Sequence, residues 1–117
     1  MVNYASSVVT TDTDLTHTVW STSLGTGRTA VVMVNYFGIA ANGKRISGNA
    51  RGVITNVAGT LSYLATQIDP YLQKDAAGFP DNAVQINISG TTVTATVTGV
   101  NGQGDTYWTV EVNYILA

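Results

Sequence analysis

The C-terminal part of the sequence, residues 88–117, alternates between two classes of side chain, and this alternation limits the possible folds more than any other feature. Valine or alanine takes every second position in 92–98, with threonine between, and large apolar residues take every second position in 108–116. Successive side chains of a β-strand point to opposite faces of the sheet, so this period predicts strands with one buried face. The glycine-rich residues 99–105 predict the turn that joins them.

Similar segments fill the middle of the chain. Residues rich in β-branched and aromatic side chains occupy 16–24, 28–40 and 45–57, separated by glycine and asparagine. The nearly continuous apolar run at 28–40 predicts a strand buried on both faces. The Asn42-Gly43 dipeptide predicts a hairpin with a type I′ turn, in which both central residues take positive φ.

Two later segments have less regular patterns. The apolar residues of 60–68 also fit a helical spacing, but the segment is short and ends before a proline, so we interpret it as a strand. Residues 69–81 contain Pro70 near the start and Gly78 near the end. This arrangement predicts a surface loop with a helical tip.

These segments together predict an all-β fold. Seven or eight short strands, turn residues at regular intervals and no long helix are typical of an antiparallel, jelly-roll-like β-sandwich. We expect residues 12–117 to form one sandwich domain. Residues 1–11 carry no charge, glycine or proline. They predict either an extended N-terminal arm or an edge strand of the domain's own sheet, and both interpretations remain open.

Charged residues are scarce. They make up 10% of the 117 residues, and the formal net charge is -2; about a quarter of residues is usual. The clustered lysines and arginines that bind phosphate backbones are absent from the sequence, so we expect no nucleic-acid partner. No apolar run approaches the roughly 20 residues that span a bilayer, so we expect no membrane partner. A surface with so few charges is either a neutral polar face or a face covered by other subunits, since interface cores are depleted of charge.

Few residues could carry out catalysis. His17 is the only histidine, Glu111 is the only glutamate, and cysteine is absent. A catalytic triad or a histidine-based metal site would need His17, which lies in a threonine-rich strand segment. Asp12 and Asp14 lack the glycine and glutamate that follow in a calcium-binding loop. The sequence therefore predicts a protein that is not an enzyme and that has no metal or cofactor.

Five aromatic and basic residues are candidate interface contacts. Tyr71 and Phe79 lie in the irregular segment, where no strand face would bury them, so we expect exposed contacts. Arg45 and Arg51 lie six residues apart on one strand, and therefore on one face. In a chain with few charges, they favour an ion pair between subunits. Trp108 is interpreted as a core or interface anchor, with stacking on a sugar as the alternative.

The order of the segments resembles a small β-sandwich module of tailed bacteriophages, which occurs in tail-fibre, tailspike and head-decoration proteins. The resemblance rests on VVTTDTDLTHTVWSTSL, AVVMVNYFG, KRISGNARGVI and GTLSYLATQI, and above all on ISGTTVTATVTGV followed by YWTVEV. It covers most of the chain from Thr10 onward. It implies a β-sandwich virion protein that is assembled in the host cytoplasm.

The resemblance implies two functions. Because this sequence starts with Met and has only 117 residues, it favours a free-standing capsid decoration (cement) protein. Such a protein would bind the outside of the head as a homo-oligomer, preferably a trimer, and bridge subunits of the major capsid protein. The alternative is a receptor- or glycan-binding module of a tail fibre.

Overall fold

The computed structural model describes residues 2–10, 15–75 and 78–117, which form nine strands. In chain order the strands are β1 (Val2–Thr10), β2 (Thr16–Ser23), β3 (Thr29–Ala40), β4 (Arg45–Val57), β5 (Thr60–Ile68), β6 (Gln73–Lys74), β7 (Val84–Ser89), β8 (Thr92–Thr98) and β9 (Thr106–Leu116). These residues contain no helix, and thus none that could span a membrane. All strand pairs are antiparallel. The predicted all-β, sandwich-like fold is confirmed.

The strands form two sheets around one hydrophobic core. The larger sheet has the order β1-β9-β3-β4-β5, with the two-residue β6 beside β4, and the smaller sheet has the order β2-β8-β7. The core contains the inward side chains of both sheets, mostly valine, alanine and isoleucine together with two tryptophans. Along each strand, successive side chains therefore alternate between this core and the outer face of their own sheet.

The N-terminal residues belong to the larger sheet. β1 pairs with β9 over its whole length, from Val2 opposite Tyr114 to Thr10 opposite Thr106. Residues 2–10 are therefore an edge strand of the domain's own sheet, the second of the two interpretations. Asp12 and Asp14, the carboxylates considered for calcium, lie outside the described residues.

β3 lies between β9 and β4 and is buried on one face only. Every second residue from Ala30 to Ala40 is buried, whereas Val31 is 38% exposed and Phe37 is 43% exposed. The prediction that this run is buried on both faces is therefore wrong for the single chain, because the sandwich supplies a covering layer on one side of the larger sheet only. The large residues on the other side are exposed to solvent.

The hairpin between β3 and β4 forms where the Asn42-Gly43 dipeptide predicted it. Gly43 has a positive φ of 90°. Asn42 does not have a positive φ, because Ala58 is the only non-glycine residue with one in the described part of the chain. The turn is therefore not the predicted type I′ turn, which needs two positive φ values. It is a longer loop with a single left-handed glycine.

The irregular segment after β5 has no helical tip in its described residues. The chain turns at Pro70 and Tyr71, and β6 then pairs with β4. The amide of Asp75 donates to the carbonyl of Arg45, which extends this contact. Strand pairing thus takes the place of the predicted helix and holds the segment against the larger sheet.

Side chains of β5 join the two sheets along one side. The Gln67 amide nitrogen donates to the carbonyl of Val84 at 2.8 Å, and its oxygen accepts from the amide of Ile86 at 2.7 Å. The Tyr63 hydroxyl donates to the carbonyl of Ile86 at 3.0 Å. Gln67 thus makes the pair of hydrogen bonds that a neighbouring strand would otherwise make with β7.

Candidate functional site

The outer face of the larger sheet, which we call the broad face, carries large apolar side chains that the sandwich leaves exposed. Its five rows, read across β4, β3 and β9 in register, are Val53–Val31–Ile115, Arg51–Met33–Asn113, Asn49–Asn35–Glu111, Ser47–Phe37–Thr109 and Arg45–Ile39–Tyr107. We call the first row the apolar row and the next two rows the polar belt. Val31, Phe37, Tyr107 and Ile115 are all more than a third exposed. Such a patch on a small domain is typical of a contact surface.

The polar belt is held together by hydrogen bonds that cross three strands. Arg51 donates through Nε to the side-chain oxygen of Asn49, and the Asn49 amide donates to Asn35. The Asn35 amide donates to Glu111 Oε1 at 3.3 Å, and the Asn113 amide donates to the same oxygen at 3.0 Å. The side chains are therefore already ordered before any partner binds, which lowers the entropy cost of binding.

A shallow groove of about 610 Å³ lies beside the polar belt. Its lining includes Asn35, Phe37, Asn49, Tyr71 and Glu111. Tyr71 is 64% exposed, and the guanidinium carbon of Arg51 lies 5.7 Å from the centre of its ring. At this distance a cation–π interaction holds the two side chains together.

A partly buried hydrogen bond fixes the chain that leads to Tyr71. The Tyr36 hydroxyl donates to Asp69 at 2.5 Å, and the other oxygen of Asp69 accepts from the backbone amide of Asn49 at 2.9 Å. Burial, together with the hydrogen bond to Asp69, raises the pKa of Tyr36 above its ordinary value. Gly48 makes room for this pair, because a Cβ there would lie 2.5 Å from both the Tyr36 and the Asp69 oxygens.

Three of the five predicted contact residues lie at the broad face. Arg45 and Arg51 share it, as their spacing predicted, and Tyr71 lies against Arg51. Arg45 forms an ion pair within the chain, with its Nε 3.6 Å from an Asp75 oxygen. The ion pair between subunits stays a prediction for both arginines. Within the described residues, Arg51 lies beyond 4 Å from every carboxylate.

The other two predicted contact residues, Phe79 and Trp108, are in the core. They are 3% and 1% exposed, and their rings pack edge to face with centroids 5.7 Å apart. The prediction that Phe79 is an exposed contact is wrong, because its ring packs against Trp108 in the core. Lys74 holds Phe79 there by donating to its backbone carbonyl at 2.6 Å. For Trp108, the structure bears out the core interpretation.

Sugar stacking by the tryptophans is also excluded by their burial. A Cβ on Gly38 would lie 2.7 Å from the Trp108 ring, so this glycine makes the space that the indole fills. Trp20 is buried as well, and its ring centroid lies 4.8 Å from that of Tyr114. Both indoles therefore stabilise the core.

Two central residues of the broad face, Asn35 and Glu111, were not among the predicted contact residues. Asn35 interrupts an otherwise apolar strand, and Glu111 is the single charge in a strand of valines and aromatics. The two residues lie opposite each other in the β3–β9 register. The signal was present, because polar residues at outward positions of neighbouring strands can meet, but only the register shows that they do.

The outer face of the smaller sheet, which we call the hydroxyl face, has a different composition. Its rows, read across β2, β8 and β7, are Thr16–Thr98, Thr18–Thr96–Gln85, Ser21–Thr94–Asn87 and Ser23–Thr92–Ser89. None of these residues is charged or large and apolar. The Asn87 amide donates to the Thr96 hydroxyl at 3.0 Å, and the hydroxyls of Thr16 and Thr98 are 2.9 Å apart. Such a face exposes no large apolar side chain that a partner would have to cover.

The part of the chain that the structure describes contains no cluster of three side chains that could hold a metal ion. His17 lies half-buried on β2, in the smaller sheet. No protein-family model and no curated protein matches this sequence. Support for a function therefore comes from the residues and geometry of the chain itself.

Proposed function

We propose that this protein is a structural component of a tailed-bacteriophage virion, a decoration protein that attaches to the outside of the head and bridges subunits of the major capsid protein as a homo-oligomer. One observation carries the proposal: the broad face exposes large apolar side chains on both sides of a polar belt that is already ordered. A face of this kind favours burial against protein. The resemblance of the sequence to phage β-sandwich modules supports the part of the proposal that places the protein in a phage virion.

The binding mechanism is mechanical and needs no catalytic group. Fully burying a large apolar side chain stabilises by roughly 1.5 to 3 kcal/mol. Val31, Phe37, Tyr107 and Ile115 retain about half of their exposure, so covering each one contributes about 1 kcal/mol. Contacts of this size hold the copies of the homo-oligomer together. A homo-oligomer that binds only the assembled shell stabilises that shell against disassembly.

A specific observation also favours the second candidate, a glycan-binding module of a tail fibre. The groove places the exposed rings of Phe37 and Tyr71 beside the amides of Asn35 and Asn49. Aromatic rings stack on sugar rings, and planar amides exchange hydrogen bonds with sugar hydroxyls.

The stoichiometry of purified particles tests the proposal. The experiment compares the amount of this protein with that of the major capsid protein by quantitative gel densitometry or mass spectrometry. A decoration protein is present in hundreds of copies per particle. A handful of copies would instead identify a fibre module, and absence from particles purified under native conditions would overturn both assignments.

A further inference from the structure

We infer that the broad face pairs with the broad face of a second copy of this chain, about a two-fold axis parallel to the strands. The inference rests on the proposed function in that it names the partner that covers this face. Its basis is the order of the five rows and the positions of two charges, Arg51 and Glu111.

The rows of the broad face are complementary to themselves. A two-fold axis that runs parallel to β3, between two such faces, keeps the height of each residue along the strands. It exchanges the β4 side with the β9 side, since these strands flank β3. Each row then meets the same row in reverse order. In the apolar row, Val31 meets Val31 of the second copy, and Val53 meets Ile115 of the second copy.

This arrangement is compatible with the normal packing of twisted sheets. Aligned sheets pack with their strands at about 30° to each other. A two-fold axis halfway between the two strand directions produces such an angle, and rows near the axis keep their partners. The apolar side chains that one copy exposes are thus covered by the apolar side chains of the other.

The charges favour this orientation. Arg51 and Glu111 lie on opposite sides of β3 and one row apart, which is about 7 Å along the strands. In the pairing, Arg51 of one copy lies above β9 of the other, within reach of its Glu111, and the symmetry makes a second, identical ion pair. Within the described part of its own chain, Arg51 forms no ion pair with a carboxylate.

The alternative two-fold orientation brings like groups together. An axis across the strands, through the central row, would place Glu111 against Glu111 of the second copy. It would also place Val53 against the Arg45 of that copy, so an apolar side chain would meet a charged one. Like charges in contact across an interface suppress that mode of binding. The parallel axis is therefore preferred, and it closes as a dimer instead of the trimer that the sequence analysis favoured.

Charge reversal tests the pairing in the purified 117-residue chain, without particles. Sedimentation equilibrium at micromolar concentration should give a dimer for the unmodified protein. Arg51→Glu alone and Glu111→Arg alone should each weaken dimerisation about tenfold or more, because each places two like-charged pairs in contact. An equimolar mixture of the two variants should dimerise again, and so should the double variant. Recovery in the mixture requires contact between chains, since no change within one chain can produce it.

Matched variants control for charge and folding. Lys44→Glu and Asp105→Arg make the same changes of charge in exposed turns outside the broad face and should leave the dimer intact. Circular dichroism checks that each variant keeps its β spectrum. If a charge reversal does not fold, Val31→Asp tests the same axis, because it places two carboxylates against each other and should give a monomer.

Several results would overturn the inference: a monomer or a trimer for the unmodified chain, single variants that still dimerise fully, or a mixture that stays monomeric. Particle stoichiometry separates this from the proposed function. A monomer in solution that is present in hundreds of copies on heads would overturn the pairing alone. A dimer that responds to the charge reversals but is missing from particles would overturn the decoration function alone.

Discussion

The broad face and the hydroxyl face are built on the same backbone pattern, yet their outward residues differ in kind. On the hydroxyl face, threonine, serine and amide side chains cover β8 and its neighbours. On the broad face, Val31, Phe37 and Ile115 occupy equivalent outward positions. Threonine favours strands and is well hydrated, so the first face is stable in water alone. The broad face exposes apolar surface to water, which is unfavourable in free energy. This difference indicates which side of the sandwich is covered in an assembly.

The largest expected effect is in the core, beneath both faces. Trp108→Ala should lower the free energy of unfolding by about 3 to 5 kcal/mol, because it removes a fully buried ring. Urea denaturation measures the change. Tyr107→Ala, its exposed neighbour on the broad face, is the control and should cost less than about 1 kcal/mol. If the Trp108→Ala protein had normal stability but no longer associated, Trp108 would have to be assigned to a contact surface instead of the core.

The next effect concerns the seam between the sheets. Gln67→Ala should lower stability by about 1 to 3 kcal/mol, because it leaves the amide of Ile86 and the carbonyl of Val84 without their partners. Thermal unfolding followed by circular dichroism measures this change. Thr66→Ala, at the exposed neighbouring position, should be close to neutral. Equal stability of the two variants would mean that water replaces Gln67 without loss.

A pair of substitutions tests the contrast between the faces directly. Phe37→Ser on the broad face should weaken self-association about tenfold, or about 1.4 kcal/mol, because it removes an exposed aromatic contact. Thr94→Ala on the hydroxyl face should leave association unchanged. Sedimentation of both variants at equal concentration measures the difference. If Thr94→Ala were the more damaging change, the assignment of the two faces would have to be reversed.

The smallest effect tests the hairpin that holds two strands of the broad face in register. Gly43→Val should destabilise the chain by about 1 kcal/mol or slightly more, since a β-branched residue is strained at a φ of 90°. The melting temperature should fall by a few degrees. Lys44→Val, one position later, is the control. An unchanged melting temperature for Gly43→Val would show that the loop adopts another conformation at no cost.

Much of the fold could be predicted from the sequence, because a period of two determines which residues share a face. The alternation in β9 correctly placed Trp108, Val110 and Val112 on one face of the sheet and Glu111 on the other face. The same pattern could not show what lies beyond the outward face, so the apolar run of β3 was predicted to be buried on both sides. Alternation reports side-chain direction and gives no information on the number of layers.

The candidate site was less predictable, because it depends on register and on tertiary packing. The spacing of Arg45 and Arg51 was sufficient to place them on one face. The polar belt, by contrast, requires Asn35 and Glu111 to lie opposite each other, although they are far apart in sequence. Phe79 was misplaced because its local segment is irregular, whereas its burial depends on the open end of the sandwich next to Trp108.

The hydrogen bonds of Gln67 also affect how copies of this chain can combine. An open strand edge can recruit a strand from another molecule, and repeated recruitment leads to unlimited fibres. On β7 the polar groups of Val84 and Ile86 are already bonded to a side chain of the same molecule. An incoming strand would have to displace that side chain before it could pair there. The smaller sheet is thus protected on this side against polymerisation, which favours closed assemblies of defined size.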